Sequence, residues 1–290
     1  MSEHGTIVTM NVHELPTPAM VIDADLLQHN LGAMALARPG ASLRPHVKAH
    51  KCTALAAQQR AHGHASFTCA TPREVLVDVN VGLPRCGCRP DDAGRVADLA
   101  RGRGLTVRGV MGYEGHLMVM DDRDEQRAKV ADSVDRLLLA HALTGGDIIS
   151  AGGTGTYHLH DRVTEVQAGS YALMDTYYAR MGTPFEQACF VIGTVVSATP
   201  RFAVADVGLK AMGMDHGNPT LETLDGQGAD VWFLSDEHIT FVPHAGVAAV
   251  GDRVRVIPAH IDPTMAMHEV AWLARGHEVI DRWPIDLRGW

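Results

Sequence analysis

Leu43-Arg44-Pro45-His46-Val47-Lys48-Ala49-His50-Lys51 is the stretch whose reading decides the fold. It opens as a strand, with Leu43 and Val47 apolar and Pro45 suited to a strand end or edge. It closes in a cluster of bases, two lysines and two histidines within six residues. Lys48 falls where the strand should give way to a loop. A half-desolvated lysine at a strand tip, beside other cations, is a candidate amine nucleophile for a Schiff base. Taken alone, the run also reads as a solvated basic loop, so its surroundings must decide.

Working outward, Thr17-Pro18-Ala19-Met20-Val21-Ile22-Asp23 reads as a short apolar strand. Asp25 is then expected to cap a helix with Leu26, Leu27, Leu31 and Met34 on one face. On the other side, residues 53–61 read as a helix stopped by Gly63, and residues 66–70 as a buried strand. This strand–helix–strand alternation implies a parallel sheet, most economically a βα barrel. Helices over 89–103 and 122–143, with strands over 105–113, 147–151 and 165–171, continue the pattern. From about residue 188 it changes. Strands over 190–197, 202–206, 231–234, 238–242 and 253–257 follow without helices between them, which implies a second, all-β domain.

One junction is internally inconsistent. Thr71-Pro72-Arg73-Glu74 carries the marks of a helix start, with Thr as cap, Pro first and Glu third. Val75-Leu76-Val77 then reads at once as a strand. A crossover between parallel strands needs about a dozen residues, so the local signals read as two ends joined.

The chain has 290 residues and a formal charge of −9, which argues against nucleic acid as a partner. No apolar run is long enough to span a bilayer, and Met1-Ser2-Glu3-His4-Gly5 lacks the features of a signal peptide, so a cytoplasmic location is expected. Five cysteines, few and odd in number, do not suggest a disulfide framework.

Three further stretches carry chemistry. Gly152-Gly153-Thr154-Gly155-Thr156 follows a buried strand, and Gln167-Ala168-Gly169-Ser170-Tyr171 ends the next. Two adjacent strand tips rich in backbone amides and hydroxyls match the phosphate site usual after the last barrel strands. A phosphate anchor on one side and a strand-tip lysine on the other describe a site for pyridoxal 5'-phosphate. Arg85, after another strand tip, could face a cofactor phenolate oxygen. His260-Ile261-Asp262 places an imidazole and a carboxylate two residues apart. On an extended segment these share a side and can share a divalent cation, although H-x-D is also common in surface turns.

In the order in which they occur, these motifs resemble the D-threonine aldolase / D-serine dehydratase family, pyridoxal-phosphate enzymes of the alanine racemase fold type. They are Thr17-Pro18, the Arg44 to Lys51 run, Gly82 with Arg85-Cys86-Gly87, Ser150 to Gly155, Gln167 to Tyr171 and His260-Ile261-Asp262-Pro263-Thr264. The resemblance implies that Lys48 holds the cofactor covalently and that Arg85 approaches its phenolate oxygen. Thr154, Gly169 and Ser170 would hold the phosphate, with Tyr157 near the ring or phosphate, and His260 and Asp262 would bind a metal. An Asp ligand favours Mn²⁺ or Mg²⁺ over Zn²⁺. The implied fold is a (βα)8-type barrel over residues 25–186 with an all-β domain from residues 1–24 and 187–290 that carries the metal pair. The implied activity is retro-aldol cleavage of D-3-hydroxy amino acids, D-threonine giving glycine and acetaldehyde. Dehydration of D-serine or a related D-3-hydroxy amino acid is the alternative, and a non-catalytic pyridoxal-phosphate protein the third reading. The expected assembly is a homodimer.

Two departures from the family pattern stand out. Residues 25–186 are too few for eight strands, since such a barrel takes about 250 residues, so about two βα units are missing near 71–77. Aldolases of the family tend to carry His-Gly after the tyrosine of the sixth strand, whereas this chain has Tyr113-Glu114-Gly115-His116.

Overall fold

The computed structural model describes residues 10–68 and 74–288. In chain order its strands are β1 (Met10–Asn11), β2 (Ala19–Asp23), β3 (Glu74–Asp78), β4 (Thr106–Met111), β5 (Ile148–Ala151), β6 (Glu165–Val166), β7 (Cys189–Ala198), β8 (Ala203–Ala205), β9 (Thr220–Thr223), β10 (Gly228–Leu234), β11 (Ile239–Pro243), β12 (Arg253–Ile257), β13 (Val270–Arg275) and β14 (Glu278–Pro284). The helices are α1 (Ala24–Ala37), α2 (Thr53–Ala61), α3 (Ala93–Arg101), α4 (Arg123–Thr144), α5 (Thr176–Ala179) and α6 (Ile261–Met267). Met1 to Gly5, the helix start at Thr71-Pro72-Arg73, and the strand end at Cys69-Ala70 lie outside the described residues.

β3, β4, β5 and β6 form a parallel sheet in that order. α3 and α4 make the crossovers, and α4 buries Val130, Val134 and Leu137. Its cap, Asp122, accepts from the N–H groups of Asp124 and Glu125, 3.0 and 2.9 Å away. Beyond β6 the parallel run continues through the opening stretch. Arg44 N–H donates to Val166 O (2.8 Å) and His46 N–H to Ala168 O (3.0 Å). Pro45 has no N–H, but its carbonyl accepts from Thr68 N–H at 3.0 Å. The expected strand is therefore present, held by isolated parallel bridges at Leu43 and His46. It turns at Val47–Ala49 into a single helical turn carrying Lys48. The expected strand over 165–171 is likewise shorter, because Gly169 passes directly against this segment. A Cβ there would lie 2.4 Å from His46 O, and a helical turn starts at Ser170.

The helix cap expected at Asp25 is in fact Asp23, whose carboxylate accepts from Asp25 and Leu26 N–H, both at 3.0 Å. Its extended backbone (φ −72°, ψ 116°) is that of a cap residue, while Asp25 is already helical.

The second sheet has ten strands in the order β1-β14-β13-β2-β7-β12-β9-β10-β11-β8. β8 also pairs with β7, so the last six strands close on themselves as an all-β barrel. Closure leaves these strands no free edge. Val191, Val195, Ala205, Leu221, Phe241 and Val254 are buried in one cluster there. β2, near the start of the chain, pairs antiparallel with β7 and parallel with β13. The sequence reading missed β1, β9, β13 and β14. β13 and β14 flank Gly276-His277, a two-residue turn between alternating apolar residues, which was a usable hairpin signal.

Candidate active site

Lys48, the glycine-rich strand tips and the His260–Asp262 pair line one cavity of about 370 Å³ at the ends of the parallel strands. His46 Nδ1 accepts the Lys48 backbone N–H at 3.4 Å. Burial and the neighbouring Lys48 charge push the His46 pKa down to about 4, so its ring is a neutral acceptor near pH 7. Lys48 Nζ stands 3.5 Å from Asp262 Oδ1 and 5.8 Å from the centre of the Tyr113 ring.

Behind Lys48, His50 is completely buried. Its Nδ1 accepts from Cys52 N–H at 3.2 Å, leaving Nε2 to donate to Gln59 Oε1 at 3.3 Å. Gln59 in turn donates to the Tyr171 hydroxyl at 3.1 Å. This chain ties the lysine turn to the segment after Ser170. Burial holds the His50 pKa at about 4, so the network works with neutral imidazole.

The opposite wall supplies donors for an anion. Gly153, Thr154, Gly169 and Ser170 line the cavity. Tyr171 N–H donates to Thr154 Oγ1 at 3.0 Å, joining the two strand tips. Gly155 lies so close to Met118 that an added Cβ would sit 1.9 Å from its carbonyl oxygen. Glu114 is buried behind this loop, where Thr156 Oγ1 donates to its Oε1 (2.8 Å) and Gly152 N–H to its Oε2 (3.3 Å). Burial opposes its charge, but the hydrogen bond and charge of His160, 2.7 Å away, hold its pKa below the usual value. The departure Tyr113-Glu114-Gly115-His116 thus turns the glutamate away from the cavity to brace the loop, and leaves the Tyr113 ring lining it.

Arg85 is exposed at the rim, its guanidinium 5.3 Å from the centre of the Tyr113 ring. Tyr157 is placed elsewhere. Its ring is buried against Phe185, its carbonyl accepts from Arg38, and it does not line the cavity. The residue that follows Gly155-Thr156 enters a helical turn, which points it into the core.

His260 and Asp262 do come together, by a different route from the one expected. His260 is extended, but Asp262 lies in the first turn of α6. His260 Nε2 is 3.6 Å from Asp262 Oδ2. Burial disfavours the charge on Asp262. The neighbouring His260 ring, the Lys48 charge and the Ser170 hydroxyl (3.2 Å) nevertheless hold its pKa at about 2. Asp262 Oδ1 is buried and accepts no hydrogen bond. Its charged neighbour is the Lys48 amine, 3.5 Å away, and a carboxylate beside an imidazole nitrogen is a donor set that suits a divalent cation. Gly169, Ser170 and Thr154, which line the same cavity, offer backbone amides and hydroxyls suited to an anionic group. The residues present therefore fit both a metal and a phosphorylated cofactor.

Three cavity residues escaped the sequence reading. Tyr113 and Tyr178 both line the cavity, and burial raises both pKa values, that of Tyr113 to about 12. His216 stacks on His260 with ring centres 3.9 Å apart. Tyr113 lies two residues past the end of β4 and could have been found by position. Tyr178 lies in the short helix α5 and His216 in the loop before β9, neither at a strand tip, so sequence carries no such signal.

Comparison with known proteins places this architecture. Residues 188–274 match the family described as a putative serine dehydratase domain, and residues 70–176 match the alanine racemase N-terminal domain. A 3-hydroxy-D-aspartate aldolase from Paracoccus denitrificans (strain Pd 1222) is 33% identical over 241 residues, 74% of this chain and 60% of that enzyme. The chain thus spans less than two thirds of that relative. A D-threonine aldolase from Arthrobacter sp. is 29% identical over 355 residues, covering 94% of this chain and 93% of that protein. The crystal structure of D-threonine aldolase from Filomicrobium marinum superposes with a TM-score of 0.90 at 27% identity, covering 98% of this chain and 99% of that one. An alanine racemase-like fold with a second all-β domain and these relatives agree: the chain is similar to the D-threonine aldolase / D-serine dehydratase-like family, with a serine dehydratase domain match and an alanine racemase N-terminal domain match side by side.

Proposed function

We propose that this chain is a pyridoxal-phosphate- and divalent-metal-dependent lyase that cleaves D-3-hydroxy amino acids, D-threonine giving glycine and acetaldehyde. The family implies pyridoxal phosphate. The observation that carries the reading is the placement of the Lys48 amine 3.5 Å from Asp262, in the cavity lined by the strand tips of Thr154 and Ser170. When bound, the cofactor supplies an electron sink and the metal, Mn²⁺ or Mg²⁺, a Lewis acid.

In this reading Lys48 Nζ holds the cofactor. Thr154, Gly169 and Ser170 receive its phosphate, and Arg85 at the rim faces its ring oxygen. His260 Nε2 and Asp262 hold the metal near the substrate hydroxyl. The Tyr113–Tyr178 pair keeps its protons at neutral pH and serves as a donor wall. Tyr157, first expected near the cofactor, supports the loop from the core side.

The fold supports a finer reading. The parallel segments run from Thr68 through 43–46, β6, β5 and β4 to β3. That is a βα barrel about two units short of eight, with the gap next to 71–77. The match to the Arthrobacter enzyme extends over 355 positions, more than the chain's 290 residues, so the relative carries internal positions this chain lacks. On this division, residues 25–186 are the cofactor domain, and residues 1–24 with 187–290 the β-domain carrying the metal pair. A homodimer acting on a small D-hydroxy amino acid completes the proposal.

The match to a serine dehydratase domain favours one second reading, in which Lys48 Nζ takes the α-proton and the products are a keto acid and ammonia. Incubation with D-threonine separates the two. Glycine with acetaldehyde supports the aldolase, 2-oxobutanoate with ammonia the dehydratase, and turnover of neither kind contradicts both.

A further inference from the structure

Asp215, 45 residues before His260, and His216 lie in the loop between β8 and β9, and neither is used in the proposed chemistry. Asp215 Oδ2 is 2.6 Å from His260 Nδ1. An ionised carboxylate only accepts, so the Nδ1 that faces Asp215 carries a proton, which leaves Nε2, on the Asp262 side, as the nitrogen that would bind a metal. The His216 ring lies flat on His260, 3.9 Å away and 11° from parallel. Tyr177 backs His216 at 4.2 Å, with the Arg180 guanidinium 4.7 Å beyond.

The loop is fastened to α6 for this purpose. Gly213 N–H donates to Thr264 Oγ1 at 3.0 Å, and Thr264 Oγ1 donates to His260 O at 2.7 Å. Gly213 packs so tightly that an added Cβ would lie 2.4 Å from Pro263 Cγ. His268, just beyond α6, bonds the Ala211 carbonyl at 2.8 Å. The imidazole of His260 is thus fixed about both its tautomer and its plane.

We propose that Asp215 is a positioning residue for the metal site, which sets the His260 tautomer while His216 holds the ring plane. The inference rests on the reading of His260 and Asp262 as metal ligands. Asp215 and His216 lie close enough to His260 to be taken for ligands themselves. The hydrogen bond from Nδ1 instead places Asp215 on the side of the ring facing away from Asp262. Outer partners of this kind typically change metal affinity 10- to 100-fold.

The test is a titration of the cofactor-loaded protein with Mn²⁺, read by the electron paramagnetic resonance of the free ion. Asp215→Asn is expected to weaken binding about 10- to 100-fold. Its melting temperature, visible absorbance and the nitrogen coupling of one bound imidazole should be unchanged. His260→Gln is expected to abolish binding. An affinity for Asp215→Asn within twofold of the unaltered protein would overturn the proposal. So would a loss as complete as that of His260→Gln, which would make Asp215 a ligand. If the unaltered protein binds no Mn²⁺, the metal pair itself is refuted and the positioning role with it.

Discussion

Lys48 shows at residue scale how context decides chemistry. Its turn is shaped by a neutral His46 acceptor and its amine faces a buried carboxylate, so the run that could have been a solvated loop is a site wall. If Lys48 holds the cofactor as proposed, Lys48→Ala is expected to lose the cofactor's visible absorbance and at least about 10³-fold in turnover, since a covalent catalyst would have no substitute in the cavity. Unchanged absorbance would remove its assigned role. Asp262→Ala should keep that absorbance but lose metal-dependent turnover, and full activity of this variant in EDTA would reject the metal pair. The convergence of Lys48, the Thr154 and Ser170 tips and the His260–Asp262 pair on one cavity was legible because each ends a regular segment or forms a short motif. Tyr157 was misplaced because adjacency to the glycine run says nothing about which way the following turn points.

Among the elements, the buried His50 chain does more than its neighbours in sequence suggest. His50→Ala leaves a void and removes the partner of Gln59, at a cost of ~3 kcal/mol measured by urea unfolding. A cost below ~1 kcal/mol would show that the network is dispensable. Asp122→Ala removes the cap of α4 and should cost about 1 kcal/mol without altering cofactor absorbance. Helix bounds were read well because caps and glycine stops are local signals. α2 coincides with its expected range, 53–61. Strand lengths were read less well. Pairing at 43–46 and 165–171 depends on Pro45 and Gly169 meeting a neighbour distant in sequence. The closure of the β-barrel by β7 and β8 is likewise a tertiary fact, written in no single stretch.

For the molecule as a whole, buried histidines govern the response to acid. His46 and His50 have pKa values held at about 4, so the unfolded chain takes up protons below the ordinary value of 6.5 that the folded chain refuses. Stability therefore falls as pH drops from 6.5 towards 4. Asp175, raised by burial to about 6, acts the other way, because its folded form holds a proton that the unfolded chain releases. At pH 5 the two imidazoles outweigh the one carboxyl, and the urea midpoint should be lower than at pH 7. A higher midpoint at pH 5 would contradict this balance. The shortened parallel run is the other feature of this scale. Restoring the two proposed βα units at 71–77 is expected to raise the melting temperature, and no change would count against a gap there. The central claim concerns Lys48 and what it holds. Its most direct test is the absorbance spectrum of the purified protein before and after D-threonine is added, with the products identified. The account predicts a band at the edge of the visible that changes on addition, with glycine and acetaldehyde formed. A protein loaded with pyridoxal phosphate that shows no such band, and releases neither these products nor 2-oxobutanoate, would contradict it.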